Sequence, residues 1–185
     1  HLPVQSGSNK ILQKMNRKHN IENYMSIIEK LKKNKPSIKF SSDFIIGYPG
    51  ENEQDYQNTL ELINKIKFIN SYSFIYSARP GTPASELANV EKEVAKKRLI
   101  KLQQVLEKIN TESKDDFLNK STEVLFENKM KNQSKYFGRD KFLNSIVVES
   151  KDDLTGKLLN VKINNYNHNS LFGVILNEEN RNCAA

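Results

Sequence analysis

Three segments in the first half of the chain collect residue types suited to holding a polar ligand. His1-Leu-Pro-Val-Gln-Ser-Gly-Ser8 sets Gln5, Ser6 and Ser8 around Gly7, three hydrogen-bonding side chains beside a residue that lets backbone approach a ligand closely. Ser41-Ser-Asp-Phe-Ile-Ile-Gly-Tyr-Pro-Gly-Glu51 places Asp43 beside an apolar run, then Gly47 and Glu51 in a turn that opens a helix. Such a turn can aim backbone N–H groups and a helix N-terminus at a polar group. Tyr76-Ser-Ala-Arg-Pro-Gly-Thr-Pro83 adds Ser77 and Arg79. A guanidinium there offers a fixed fork for a carboxylate or phosphate, and two prolines and a glycine stiffen the loop. Each segment also has an ordinary reading: a capped strand–helix turn, a sharp βα turn with a favourable first-turn acid, and a rigid connector.

The elements around these segments alternate. His1–Gln5 reads as a strand end, followed by a helix capped at Ser8 with Ile11, Leu12 and Met15 on its apolar face. A second helix runs from about Ile21 and stops before Pro36. Ile38–Ile46 reads as a buried strand, Asn52 caps a third helix, and Tyr72–Tyr76 is a further strand. Val90 to about Phe117 is a long amphipathic helix. Strand, helix, strand, helix, strand, helix implies parallel strands with helical crossovers. In such a sheet all three polar segments fall at the C-terminal ends of strands, where they assemble one ligand site on a barrel rim. Three units do not close a barrel of eight, so residues 1–112 read as the second half of a larger α/β barrel.

After a helix end and linker at 113–119 the pattern changes. Five short runs, within 122–126, 136–138, 146–149, 158–163 and 170–176, are separated by polar turns, the signature of a small antiparallel barrel over 120–177. A polar tail, 178–185, follows. Lys129, Lys131, Lys135, Arg139 and Lys141 surround Tyr136-Phe137. Cations interleaved with aromatics on a small β-barrel suit RNA, through phosphate contacts and base stacking. The other reading makes Phe137 core and the lysines a solvated hairpin.

The chain of 185 residues carries 29 Lys+Arg against 22 Asp+Glu, a formal +7, which favours an anionic partner. Residues 10–39 hold nine Lys/Arg and two Asp/Glu, so most of the excess sits on two helices, where a solvated face is the simpler reading. A single cysteine, Cys183, excludes a disulfide framework and any metal or iron–sulfur site built from this chain's thiolates. No apolar run reaches the length of a membrane span, and no Ser/His/Asp, phosphate-loop or H-E-x-x-H pattern occurs. A reduced, cytoplasmic location is expected. His19 and His168 have no carboxylate or thiol at useful spacing.

The three polar segments, in order, resemble the radical S-adenosylmethionine methylthiotransferases. Phe137-Gly-Arg139 and Ser170-Leu-Phe-Gly173 resemble the TRAM barrel that ends those enzymes. The resemblance implies S-adenosylmethionine as cofactor and two [4Fe-4S] clusters, with their cysteines upstream of His1, so that this chain is a C-terminal fragment inactive alone. It implies that Gln5 and Ser6 lie near the methionine and ribose of the cofactor, that Asp43 and Gly47 to Glu51 line the pocket, and that Ser77, Arg79 and their loop hold the adenosine. The implied reaction is methylthiolation of carbon 2 of isopentenyladenosine beside the anticodon of tRNA, by a monomer gripping the anticodon stem-loop. The alternatives are a sister enzyme acting on threonylcarbamoyladenosine, another acting on a ribosomal-protein aspartate, and a non-catalytic RNA-binding protein. Ala78 departs from the family's usual proline, and Glu51-Asn-Glu-Gln54 from its usual Glu-Thr-Glu-Glu.

Overall fold

The computed structural model of the protein describes residues 1–131 and 133–176. Cys183 and the tail 178–185 lie outside these residues. The chain divides into two compact units, His1–Asn110 and Thr111–Ala185.

In the first unit the order is α1 (Asn9–Lys14), α2 (Ile21–Asn34), β1 (Asp43–Ile46), α3 (Glu53–Ile66), β2 (Tyr72–Ile75), a short 3-10 helix (Pro83–Glu86) and α4, which begins at Lys92 and ends at Asp115. Side chains cap the starts of the first three helices: Ser8, Asn20 and Asn52 each accept a hydrogen bond from a first-turn N–H, satisfying donors that have no intrahelical partner. β1 and β2 pair in parallel, Asp43 opposite Tyr72 and Ile46 opposite Ile75. Gln5 adds a parallel bridge to Phe44. Three parallel segments thus lie side by side in chain order, and their C-terminal ends share one edge.

The expected strand Ile38–Ile46 shortens to four residues. Serine hydroxyls replace ladder partners before it: Val4 N–H donates to Ser42 Oγ at 2.9 Å and Ser42 N–H to Ser71 Oγ at 3.0 Å. The His1–Gln5 strand end reduces to the single bridge for the same reason. The sheet is covered on one face only. Phe44 and Ile46 are fully buried in a core with Val4, Tyr56, Ile63, Phe68 and Leu102. Residues alternate across a strand, so Asp43, Ile45, Tyr72 and Phe74 share the opposite face, where Tyr72 and Phe74 are 64% and 56% exposed.

In the second unit β3 (Ser121–Lys129), β4 (Lys135–Asp140), β5 (Ser145–Glu149), β6 (Leu158–Tyr166) and β7 (Leu171–Ile175) close a barrel in the order β3-β4-β5-β7-β6. All five expected runs are strands. The barrel is not wholly antiparallel: β6 pairs with β3 to close it, and β7 enters between β5 and β6, parallel to β5. Val124, Phe126, Tyr136, Ile146, Val161, Ile163 and Leu171 fill the interior. Among the described residues no helix is long and apolar enough to cross a membrane.

Gly138 and Gly173 mark where strands of this barrel press together. A Cβ on Gly138 would stand 2.5 Å from the Leu125 carbonyl oxygen, and one on Gly173 would overlap that of Lys162. Backbone cannot yield there as a flexible side chain would. Gly173→Ala is therefore expected to lower stability by about 2 kcal/mol, seen as a lower midpoint in denaturant unfolding, whereas Gly156→Ala, with open space around it, should show only the smaller cost of its positive φ.

Candidate functional site

The shared C-terminal edge of the three parallel segments carries the three polar loops. Gln5 sits at its centre with φ 74°, a left-handed conformation that costs a non-glycine residue energy and is retained where the surroundings require it. Its backbone is held in the ladder on both sides: Gln5 N–H donates to Asp43 O at 3.0 Å and Gln5 O accepts from Ile45 N–H at 2.9 Å. Gln5 is 8% exposed, yet no hydrogen bond ties its amide to the described residues. Beside it, Asp43 faces His1, whose Nε2 lies 3.5 Å from Oδ2.

Ser6 is turned the other way. Its buried hydroxyl accepts from Ser8 N–H at 3.2 Å and lies 3.5 Å from Thr59 Oγ1 on α3. Gly7 donates its N–H to the same Thr59 hydroxyl at 2.9 Å, and a Cβ on it would overlap the Asn58 backbone. The glycine therefore admits helix α3 and not a ligand, which corrects the sequence reading of that loop.

Glu51 likewise is bonded within the protein. One of its carboxylate oxygens accepts from Gly47 N–H at 3.2 Å and from Arg98 Nη1 at 2.9 Å. Arg98, on α4, reaches Glu53 with Nη2 at 3.0 Å and lies over the Tyr56 ring. Burial pushes the Glu51 carboxyl above its ordinary value, and the Gly47 N–H and Arg98 offset this only in part. Ala95, one turn before Arg98, closes on Gly47, whose φ is 74° and where a Cβ would stand 2.8 Å from the alanine methyl. So α4 holds the turn from Gly47 to Glu51 by one buried ion pair and one close contact. The sequence reading missed Arg98: an arginine in a Lys-rich amphipathic helix carries no local signal of burial.

Asp55 was missed too, though Asn52-x-x-Asp55 has capping-box spacing. It closes that box on Asn52 N–H at 2.9 Å, accepts from Ser8 Oγ at 2.7 Å and pairs with Lys10 at 2.5 Å. One carboxylate thus joins the N-terminal ends of α1 and α3. Burial alone would push it up, but the Asn52 N–H, Lys10 and Ser8 outweigh burial and hold it below its ordinary value.

The third loop leaves β2 at Tyr76, whose ring packs edge-on against Tyr48 at 4.9 Å and whose hydroxyl is buried without a partner among the described residues. Ser77 and Arg79 are exposed beyond it. An S-adenosyl cofactor needs partners for an amino-acid end, a ribose and an adenine. The Gln5 amide, the orphaned Tyr76 hydroxyl and the exposed Arg79 fork are donors and acceptors of that kind along this edge, with Asp43 on the open face at the start of β1, so the residues present fit it. They do not fit an iron–sulfur cluster: among the described residues no group of three His, Cys, Asp or Glu could hold a metal.

On the barrel, β4 turns Tyr136 inward, 3% exposed, and Phe137 outward. Phe137 is therefore not core; the Arg139 guanidinium lies 5.5 Å over its ring. Lys129 lies over Tyr136 at 5.7 Å and Lys141 over Phe142 at 5.2 Å. Lys129 and Lys131 border an open depression at the β3–β4 turn with Met130, Gln133 and Ser134. Two of the five cations have acids nearby, Lys135 with Glu149 at 3.5 Å and Arg139 with Glu127 at 3.4 Å.

Residues 1–63 match the model of the Radical SAM superfamily, the class that a polar rim on parallel βα units fits. The chain is 50% identical over 184 residues to a tRNA-2-methylthio-N(6)-dimethylallyladenosine synthase of Pelagibacter ubique (strain HTCC1062), covering 100% of this chain and 41% of that protein. It is 47% identical to the protein of the same name from Wolbachia pipientis subsp. Culex pipiens over 94% of this chain and 40% of that one, and 41% identical to that from Paracoccus denitrificans over 95% and 39%. The chain spans about two fifths of the length of the curated relatives it matches. The resemblance read from the motifs is thus borne out: over its whole length the chain is similar to these synthases, and residues 1–63 to the radical SAM superfamily.

Two tests follow from the buried charges. Arg98→Met strands Glu51 without its cation and is expected to cost about 3–5 kcal/mol; adding Glu51→Gln should recover part of that loss in denaturant unfolding. Asp55 has its carboxyl held low, so its contribution is complete above the ordinary 3.8 and fades as pH falls through the lowered folded value. Asp55→Asn should be less stable by about 1–2 kcal/mol near neutral pH, and melting curves of variant and wild type should converge in acid below that range.

Proposed function

We propose that this chain supplies part of the cofactor pocket and the RNA-binding barrel of a tRNA methylthiotransferase, one that acts on carbon 2 of isopentenyladenosine next to the anticodon. The observation that carries the pocket is Gln5: a residue 8% exposed, with a left-handed backbone and a side-chain amide bonded to none of the described residues, at the edge where three parallel segments end. Kinship along the whole chain to synthases of that product supports the substrate. S-adenosylmethionine, when bound, supplies the methyl group and the one-electron chemistry that an unactivated aromatic carbon demands. Two [4Fe-4S] clusters complete the enzyme, held by ligands outside this chain.

The chain's own residues bind and orient. Gln5 and Asp43 take the methionine and ribose groups of the cofactor, and the Gly47 turn lines the pocket. Ser77 and Arg79 with their loop backbone hold the adenosine. Ser6 and Glu51 act from behind: Ser6 ties its loop to α3, and Glu51 fixes the Gly47 N–H so that the turn keeps one shape as ligand arrives. On the barrel, Lys129, Lys131, Lys135, Arg139 and Lys141 contact the anticodon stem-loop, with Phe137 as a stacking surface. The enzyme works as a cytoplasmic monomer.

Amide spectra of the labelled chain titrated with S-adenosylmethionine test the pocket. Shifts are expected at Gln5, Gly47, Ser77 and Arg79, and Gln5→Ala should weaken binding roughly tenfold by removing a hydrogen bond from a buried site; shifts confined to other residues would refute the assignment. Mass analysis of tRNA nucleosides from a strain deleted for the gene tests the reaction. The methylthio-isopentenyl nucleoside should disappear while the isopentenyl form persists, and an unchanged profile would refute it.

A further inference from the structure

Seven of the nine cations in residues 10–39 fall in the fold into two groups with different surroundings. Lys30, Lys32, Lys33 and Lys35 stand at the C-terminal end of α2, where cations offset the helix's own exposed carbonyls. Lys14, Arg17 and Lys18 belong to the last turn of α1 and the loop after it, and their position is different. The Lys14 ammonium rests on Gly50, whose φ is 85°. Tyr48 donates its hydroxyl to the Lys14 carbonyl at 2.9 Å. The end of α1 is therefore fastened to the turn that forms part of the ligand rim.

Arg17 and Lys18 stay beside it. Arg17 N–H returns to Leu12 O at 2.9 Å, and Asn16 takes a left-handed φ of 55°, so the loop folds back on the helix. All three cations are exposed, and among the described residues no acid neutralises them. Asp55 is taken by Lys10, Ser8 and Asn52, and Glu22 by Asn9. Among the described residues none of Lys14, Arg17 and Lys18 makes an ion pair. Three uncompensated charges so placed leave the rim of the site strongly cationic.

We propose that Lys14, Arg17 and Lys18 form a phosphate clamp that grips the RNA backbone flanking the nucleotide presented to the rim. The inference rests on the reading of the substrate as RNA. An enzyme that modifies a base must draw it out of its stack, and the phosphates on either side then lie at the mouth of the pocket. Cations at that mouth hold the backbone while the base enters, which is a task separate from recognition by the barrel. The clamp is indifferent to sequence, since phosphates carry none.

Fluorescence anisotropy of the 185-residue chain with a hairpin RNA carrying a loop adenosine, at a series of salt concentrations, tests it. Lys14→Gln with Arg17→Gln and Lys18→Gln should weaken binding by roughly ten- to a hundredfold and flatten the log–log salt slope by about 2, as three lost phosphate contacts would. Lys30→Gln with Lys32→Gln and Lys33→Gln removes equal charge and should change affinity less than about threefold, the size of a diffuse charge effect. Circular dichroism should match wild type for both, since every altered side chain is exposed. Wild-type affinity in the first variant, or equal losses in both, would overturn the clamp; so would a loss seen only with Lys129→Gln, Lys131→Gln and Lys141→Gln on the barrel, which would leave the RNA reading standing. A wild-type chain that ignores the hairpin would overturn clamp and RNA reading together.

Discussion

The buried carboxylate of Glu51 is the constraint around which the ligand edge is organised. A charge with 1% of its side chain exposed is costly to ionise, and its cost here is offset in part by one backbone N–H and one guanidinium. That guanidinium belongs to α4, far along the chain, and the N–H belongs to Gly47 at the end of β1. Satisfying one buried oxygen therefore ties a strand end, a turn and a helix into a single shape. The neighbouring Ala95 against Gly47 leaves no room for the turn to relax. What remains open on the edge is what these bonds leave unused: the Gln5 side chain and the loop of Ser77 and Arg79.

Asp55 does similar work one layer back. Its carboxylate serves the N-terminal ends of two helices and one lysine, so the loop through Ser6 and Gly7 is pinned to α3. The polar residues that look most ligand-like in sequence are partly spent on this pinning. Division of labour follows: some side chains of each motif build the edge, and others face outward from it. Lys14 joins the second group only because Tyr48 and Gly50 seat the end of α1 beside the turn.

Much of this was legible in the chain. The alternation of apolar patterns located every α-helix of the first unit and all five barrel strands to within a few residues, because burial on one face imposes its period on the sequence. Loop chemistry placed the polar segments after strands, and one cysteine excluded a thiolate cluster. The strand at 38–46 was overestimated since serine hydroxyls, which look neutral in sequence, take the ladder's bonds. Phe137 was ambiguous because a hairpin's inward and outward faces differ by one residue in register.

By itself the sequence determined the elements, their order, the three motifs at strand ends and the kinship they imply, for these depend on local pattern and residue type. It could not determine what each polar side chain is bonded to. Ser6, Glu51 and Arg98 meet partners about fifty residues away, and such pairings leave no mark on either local stretch. Only the tertiary structure decided that Gly7 admits a helix, that the Gln5 side chain is bonded to none of the described residues, and that three cations read as a solvated face border the site. The reason is physical: the period of a pattern reports which face is buried, whereas the fate of a buried polar group depends on which distant atom reaches it.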